Sequence, residues 1–157
     1  MKEQSLTIKC HEYRGMEELN DSDRLLMEAA IDAADGAYAP YSHFHVGAAL
    51  RLADGSLHIG NNQENAAYPS GLCAERTAIF AAAAQMPQMR DYKALAIAGR
   101  NQNGELCEAS PCGACRQVLA EYEAAQGHPM RVLCYVNKNC IREFGSVGDL
   151  LPFAFRF

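Results

Sequence analysis

The 157-residue chain has no tryptophan, only six prolines and no run of lysine or arginine. Each shortage removes a class of protein. Tracking a polynucleotide backbone needs a basic stripe, and a chain of net charge −5 without clustered cations offers none. No 18 consecutive apolar residues occur, so no membrane-spanning helix is expected, and Met1-Lys2-Glu3-Gln4-Ser5 lacks the apolar centre of a secretory signal. The expected location is cytoplasmic, where thiols stay reduced. Seven cysteines form an odd set, which argues against a complete disulfide framework. A second Cys-x-x-Cys, which a zinc ribbon would need, and a His-Glu-x-x-His are both missing. With 49% apolar and 21% charged residues the composition is that of a globular protein. Its length suits one domain, residues 1–157, of which 1–20 form an N-terminal extension.

What is present alternates in type. Residues 5–13 carry a weak strand signal in Leu6, Ile8 and Cys10. Asp21 or Ser22 can cap a helix whose apolar positions are Leu25, Leu26, Ala29, Ala30 and Ala33, ended by Gly36 and Pro40. Phe44, Val46, Ala48 and Leu50 alternate as a strand, Asp54-Gly55 supplies a hairpin turn, and a return strand runs from about Leu57 to Asn62. A helix is predicted over Cys73–Gln85, a buried strand over 92–98, a second helix from Cys112 to about Ala125, a strand over 131–136 and a short strand around 142–147. The order predicts an α/β fold in three layers, α/β/α, with a mixed sheet of roughly five strands.

Two helix starts hold the chemistry. Cys73-Ala74-Glu75 opens one helix, and Pro111-Cys112-Gly113-Ala114-Cys115 opens the other. Three cysteines can hold a tetrahedral Zn²⁺ with one position left for water, the arrangement of a hydrolytic rather than a structural site. The partial positive charge at helix N-termini favours the thiolate form. Glu75 stands two residues from a ligand, near enough to exchange protons without binding the metal. Alone, Cys112-x-x-Cys115 could equally be a redox pair or two unremarkable thiols, but neither explains Cys73 and Glu75 at a second helix start. Cys10, Cys107, Cys134 and Cys140 are expected to be ordinary core or strand residues. Three thiolates and Zn²⁺ sum to −1, and Arg76 could withdraw charge by donating to a sulfur. Asn62 and Glu64, two apart in an extended segment, point to the same side. Phe44 is placed on the inward face with Val46, and His43 and His45 on the opposite, solvated one.

Asn62-Gln63-Glu64-Asn65-Ala66-Ala67-Tyr68, Cys73-Ala74-Glu75-Arg76-Thr77-Ala78 and Ser110-Pro111-Cys112-Gly113-Ala114-Cys115-Arg116-Gln117-Val118 together resemble the small homotetrameric cytidine deaminases. Tyr38-Ala39-Pro40-Tyr41-Ser42, Phe44-His45-Val46-Gly47-Ala48-Ala49 and Leu150-Leu151-Pro152 extend the resemblance to about residues 22–155. It implies zinc-dependent hydrolysis of cytidine and 2′-deoxycytidine to uridine and 2′-deoxyuridine, with release of ammonia, in pyrimidine salvage. The general chemistry is that of the zinc nucleobase deaminases, with Cys73 where many of them carry histidine. By resemblance, Cys73, Cys112 and Cys115 hold Zn²⁺, and Glu75 moves protons. Arg76 tunes a thiolate, Asn62 and Glu64 bind the sugar, Phe44 walls the base pocket, and the backbone at Ala74 contacts the pyrimidine. Phe155 is matched to an aromatic that stacks on the base in a neighbouring subunit, with Phe153 and Phe157 sharing its face. That implies a homotetramer with shared sites, a small-molecule substrate and no nucleic-acid or membrane partner. Gln63 stands where the family has an aliphatic residue. A blasticidin-S deaminase is the nearest alternative and a tRNA-editing adenosine deaminase a weaker one; from another class comes a thiol–disulfide protein.

Overall fold

A computed structural model describes residues 1–88 and 90–156. Its strands are β1 (Cys10–Tyr13), β2 (His45–Leu52), β3 (Leu57–Asn61), β4 (Tyr92–Arg100), β5 (Leu106–Cys107), β6 (Arg131–Asn137) and β7 (Cys140–Phe144). The helices are α1 (Asp21–Ala33), α2 (Ala74–Gln85), α3 (Gly113–Gln126) and the single turn α4 (Val147–Leu150). The sheet runs β1-β7-β6-β4-β2-β3, with β5 paired to β4. Strands β4 and β6 are parallel, joined through α3, and the other pairings are antiparallel. The mixed three-layer expectation holds, with seven strands rather than roughly five. Strand β5 has two residues and β1 four, too few for a periodic signal, and β1 covers only the end of the stretch expected over 5–13.

Alternation along β4 builds both layers. Ala94, Ala96 and Ala98 pack with Leu26, Met27 and Ala30 of α1, whereas Leu95 and Ile97 pack with Ala78, Ile79 and Ala82 of α2 and Leu119 of α3. Side chains that alternate along a strand point to opposite faces, so a nearly all-apolar strand is buried twice. Two glycines let helices sit directly on the sheet. A β-carbon at Gly47 would collide with the Ala30 carbonyl of α1, and one at Gly60 would collide with the Ala78 amide of α2.

Local signals set the helix ends. The N-cap of α1 is Asn20, one residue before the expected Asp21 and two before Ser22; its Oδ1 accepts the Asp23 N–H at 2.9 Å. All three residue types can cap, and Asn20 is the one with extended backbone. Helix α3 stops at Gly127, whose φ of 76° is the left-handed conformation glycine adopts without cost. The four remaining cysteines are all strand residues: Cys10 in β1, Cys107 in β5, Cys134 in β6 and Cys140 in β7.

Candidate active site

Helices α2 and α3 lie on one face of the sheet with their N-termini converging. Cys73 caps α2 and Cys112 caps α3, and neither sulfur makes a capping hydrogen bond, so both remain available to a ligand. Cys115, in the first turn of α3, is fully buried. The Cys73–Cys112 and Cys112–Cys115 Sγ separations are 3.8 and 3.6 Å, and all three sulfurs lie within 4.8 Å of one another. A tetrahedral zinc with Zn–S bonds of about 2.3 Å has S···S edges of about 3.8 Å, so the donor set fits this ion in type and spacing.

The electrostatics already favour an anion at this point. A hydrogen bond from Cys115 draws the Cys73 thiol well below the usual thiol range against the opposing effect of burial, and Arg76 adds to the pull. Arg76 Nη2 lies 3.7 Å from Cys73 Sγ and 3.4 Å from the Gly71 carbonyl. Glu75 is only 3% exposed. Desolvation pushes its carboxyl up, the negative charge of Cys73 adds to this, and the Cys115 side chain hydrogen-bonds it.

A cleft of about 370 Å³ opens beside Cys73 and Arg76, walled by Asn62, Glu64, Tyr41 and Tyr68. The two tyrosine rings tilt against each other at 6.0 Å. Asn62 and Glu64 both turn toward the 38–46 segment. Asn62 Oδ1 accepts the Val46 N–H at 2.7 Å and Nδ2 donates to the Phe44 carbonyl at 2.9 Å. Glu64 Oε2 accepts the Tyr41 and Ser42 N–H groups at 2.9 and 3.3 Å, and Oε1 accepts from the Ser42 hydroxyl. Ser42, Tyr41 and Tyr68 stand in the matched motifs but were given no role from the sequence: contacts between residues 22 apart in irregular backbone leave no periodic trace.

Phe44 precedes β2 and is 37% exposed. Its ring lies over Gly99, where a β-carbon would stand 3.0 Å from Phe44 Cζ, on the sheet face covered by α2 and α3. It is not among the residues lining the cleft. Ala74 is fully buried. His43 is exposed and His45 half-buried, and neither joins a metal-capable group among the described residues. Gln63 also borders the cleft and donates to Asn61 Oδ1 at 2.6 Å.

The tail stands apart from the cleft. Phe155 is 65% and Phe153 83% exposed; Phe157 lies outside the described residues. The Phe155 main chain is clamped by one side chain of α3: Gln117 Nε2 donates to its carbonyl at 2.9 Å and Gln117 Oε1 accepts its N–H at 3.0 Å. Arg116, next in α3, donates to the carbonyls of Pro111 at 2.8 Å and Leu150 at 3.1 Å, tying the cysteine loop to the C-terminal segment.

Three thiols matched to a tetrahedral cation, a buried carboxyl beside them and a cleft bordered by Asn62 and Glu64 in front define a zinc-binding hydrolytic site. The model of the cytidine and deoxycytidylate deaminase zinc-binding region matches residues 20–127, and the chain belongs to this family. It is 43% identical over 132 residues to a cytidine deaminase of Halalkalibacterium halodurans, spanning 84% of this chain and 92% of that one. It is 46% identical over 135 residues to a cytidine deaminase of Sporosarcina psychrophila, spanning 86% and 91%. Among solved structures, the cytidine deaminase of Burkholderia pseudomallei superposes with a TM-score of 0.72 at 44% identity, covering 83% of this chain and 97% of that one. The cytidine deaminase of Mycobacterium tuberculosis gives 0.65 at 36% identity, covering 88% and 99%.

Proposed function

We propose that the protein hydrolyses cytidine and 2′-deoxycytidine to the corresponding uridines and ammonia. The observation that carries this is the set of three sulfurs at the spacing of a zinc tetrahedron with Glu75 buried alongside. Cys73, Cys112 and Cys115 would hold Zn²⁺, which when bound supplies Lewis acidity and makes water nucleophilic near neutral pH. Glu75 takes the proton of the attacking water, delivers it to N3 of the pyrimidine and then serves the departing amine. A carboxyl raised by desolvation is a stronger proton acceptor than an exposed one, which suits that exchange. Arg76, in contact with Cys73 Sγ, offsets the excess negative charge of three thiolates. The Ala74 N–H, in the first turn of a helix without a side-chain cap, is a donor for the base. Asn62 and Glu64 meet the sugar, and Phe44 walls the base from the sheet side.

The protein would work as a homotetramer in the cytoplasm, in pyrimidine salvage. The exposed tail rings support an assembly in which Phe155 enters a neighbouring site. No described helix is long and apolar enough to cross a membrane. A thiol–disulfide protein would have no use for the third sulfur or the buried carboxyl, and blasticidin-S deamination is not favoured by the relatives.

The test follows the loss of the cytidine ultraviolet band with zinc-loaded protein, metal-stripped protein and Glu75→Gln. Zinc-loaded protein is expected to convert cytidine, metal-stripped protein to be inert until zinc is returned, and Glu75→Gln to bind zinc yet lose about 10²–10⁴ in kcat. Full activity of the variant would end the proton-carrier assignment.

A further inference from the structure

Counting donors and acceptors around Glu64 shows how little of it is left for a substrate. An ionised carboxylate has about four lone-pair positions. Two on Oε2 are taken by the Tyr41 and Ser42 N–H groups and one on Oε1 by the Ser42 hydroxyl, so one acceptor position remains. Asn62, with its bonds to Val46 and Phe44, keeps one N–H donor and one lone pair. One acceptor beside one donor is the complement of a single hydroxyl, which gives its proton to Glu64 and receives one from Asn62.

Ser42 sets this arrangement. Its hydroxyl proton goes to Glu64 and its oxygen accepts the Phe44 N–H at 3.1 Å, so one side chain holds both the carboxylate and the Phe44 backbone. The next residue, His43, has φ of 52°, the left-handed region unfavourable for a residue with a side chain, and its N–H returns to the Ala39 carbonyl at 3.1 Å. Such a backbone conformation persists where surrounding contacts hold it, here the bonds of Ser42 to Glu64 and Phe44.

We propose that Ser42 is a positioning residue for sugar recognition: it locks Glu64 with one acceptor position facing the cleft, which makes the site selective for nucleosides with one particular sugar hydroxyl free. This rests on the deaminase reading above and names what that reading leaves open, namely which group outside the substrate contacts enforces the choice. A methylated or phosphorylated oxygen has no proton to give the carboxylate and would be refused. The three donors also hold the Glu64 carboxyl below its ordinary range, the Ser42 hydroxyl foremost, so the acceptor stays ionised near neutral pH.

The experiment measures kcat and KM of the zinc-loaded wild type, Ser42→Ala and Ser42→Thr on cytidine, 2′-deoxycytidine and 3′-deoxycytidine. Ser42→Ala is expected to raise KM for cytidine about tenfold with kcat changed less than about twofold. The penalty should vanish on whichever deoxy substrate lacks the hydroxyl that Glu64 meets, and Ser42→Thr should restore most of the loss. A penalty equal on all three substrates, no penalty, or a fall in kcat at unchanged KM would each overturn the proposal. Wild-type protein inert on all three would instead overturn the deaminase reading itself.

Discussion

Gly60 of β3 lies directly beneath Ala74 of α2: a β-carbon there would stand 2.5 Å from the Ala74 carbonyl oxygen and overlap the Ala78 amide. Ala74 separates Cys73 from Glu75, so the seat of α2 on the sheet is also the seat of the site. Gly60→Ala is expected to destabilise the fold by about 1–3 kcal/mol, because a packed backbone has no flexible group to give way. Thermal melts should show that loss together with reduced zinc content. Gly47→Ala, which drives α1 off the opposite face, should give a similar loss of stability with zinc stoichiometry retained.

The sulfur spacing yields a prediction about the metal. Purified protein should carry one zinc per chain, and Cys115→Ser should remove it, since among the described residues the metal-capable group consists of Cys73, Cys112 and Cys115 alone. Stripping the metal should lower stability by roughly 3–4 kcal/mol relative to protein in free zinc at several hundred times its Kd. Arg76→Ala should retain the ion and lower kcat about tenfold, as expected for a group that tunes a ligand. Unchanged kinetics would remove Arg76 from the mechanism.

Features that depend on spacing were legible in the sequence. The nearly continuous apolar run over 92–98 announced a mostly buried strand, and Cys112-x-x-Cys115 at a helix start announced a pair of metal-capable thiols. Cys73, 39 residues from Cys112, joined them only because it too opens a helix. Asn62 and Glu64 were placed on one side by strand geometry, and both do face the 38–46 segment. What escaped has no local signature: two-residue β5, the Ser42–Glu64 bond, and the Gln117 clamp on a residue 38 positions away. The choice of Asn20 over Asp21 as cap turned on backbone conformation among residues of equal capping chemistry.

Acid sensitivity should come from a buried charge cluster on the α1 side. Asp23, 1% exposed, accepts from Arg131 at 2.6 Å and Arg51 at 2.9 Å; Arg131 also donates to Glu143 at 2.7 Å, which receives the Tyr13 hydroxyl at 2.7 Å. Burial alone would raise the Asp23 and Glu143 carboxyls. Hydrogen bonds from Arg131 and Arg51 to Asp23, and from Arg131 and Tyr13 to Glu143, hold both below their ordinary values. A depressed folded-state value means stabilisation that is complete above the unfolded values of about 4 and lost as pH falls through the folded ones. Urea midpoints should therefore be flat in this respect from pH 6 to 8 and drop below about pH 4. Asp23→Ala should cost about 3–5 kcal/mol at pH 7 by leaving Arg51 without an ion-pair partner among the described residues and Arg131 with Glu143 alone, and should flatten the acid limb. An unaltered acid limb in the variant would exclude the cluster as its source.

The clamp of Gln117 on the Phe155 main chain ties the backbone of an exposed aromatic residue to α3. Stacking of a base on an aromatic ring is worth about 1–3 kcal/mol, so Phe155→Ala should raise KM for cytidine roughly five- to 150-fold. Gln117→Ala should raise it by part of that, since the ring is kept but its backbone is released, and a change below about twofold in Phe155→Ala would end the stacking role. Whether the ring acts across subunits is decided by mixing two defective chains. In oligomers assembled from Phe155→Ala and Glu75→Gln subunits, a site with an intact Glu75 can receive an intact Phe155 only from its neighbour. Such mixtures should regain the wild-type KM at a fraction of the wild-type kcat. A KM that stays at the Phe155→Ala value would mean that the ring serves its own chain.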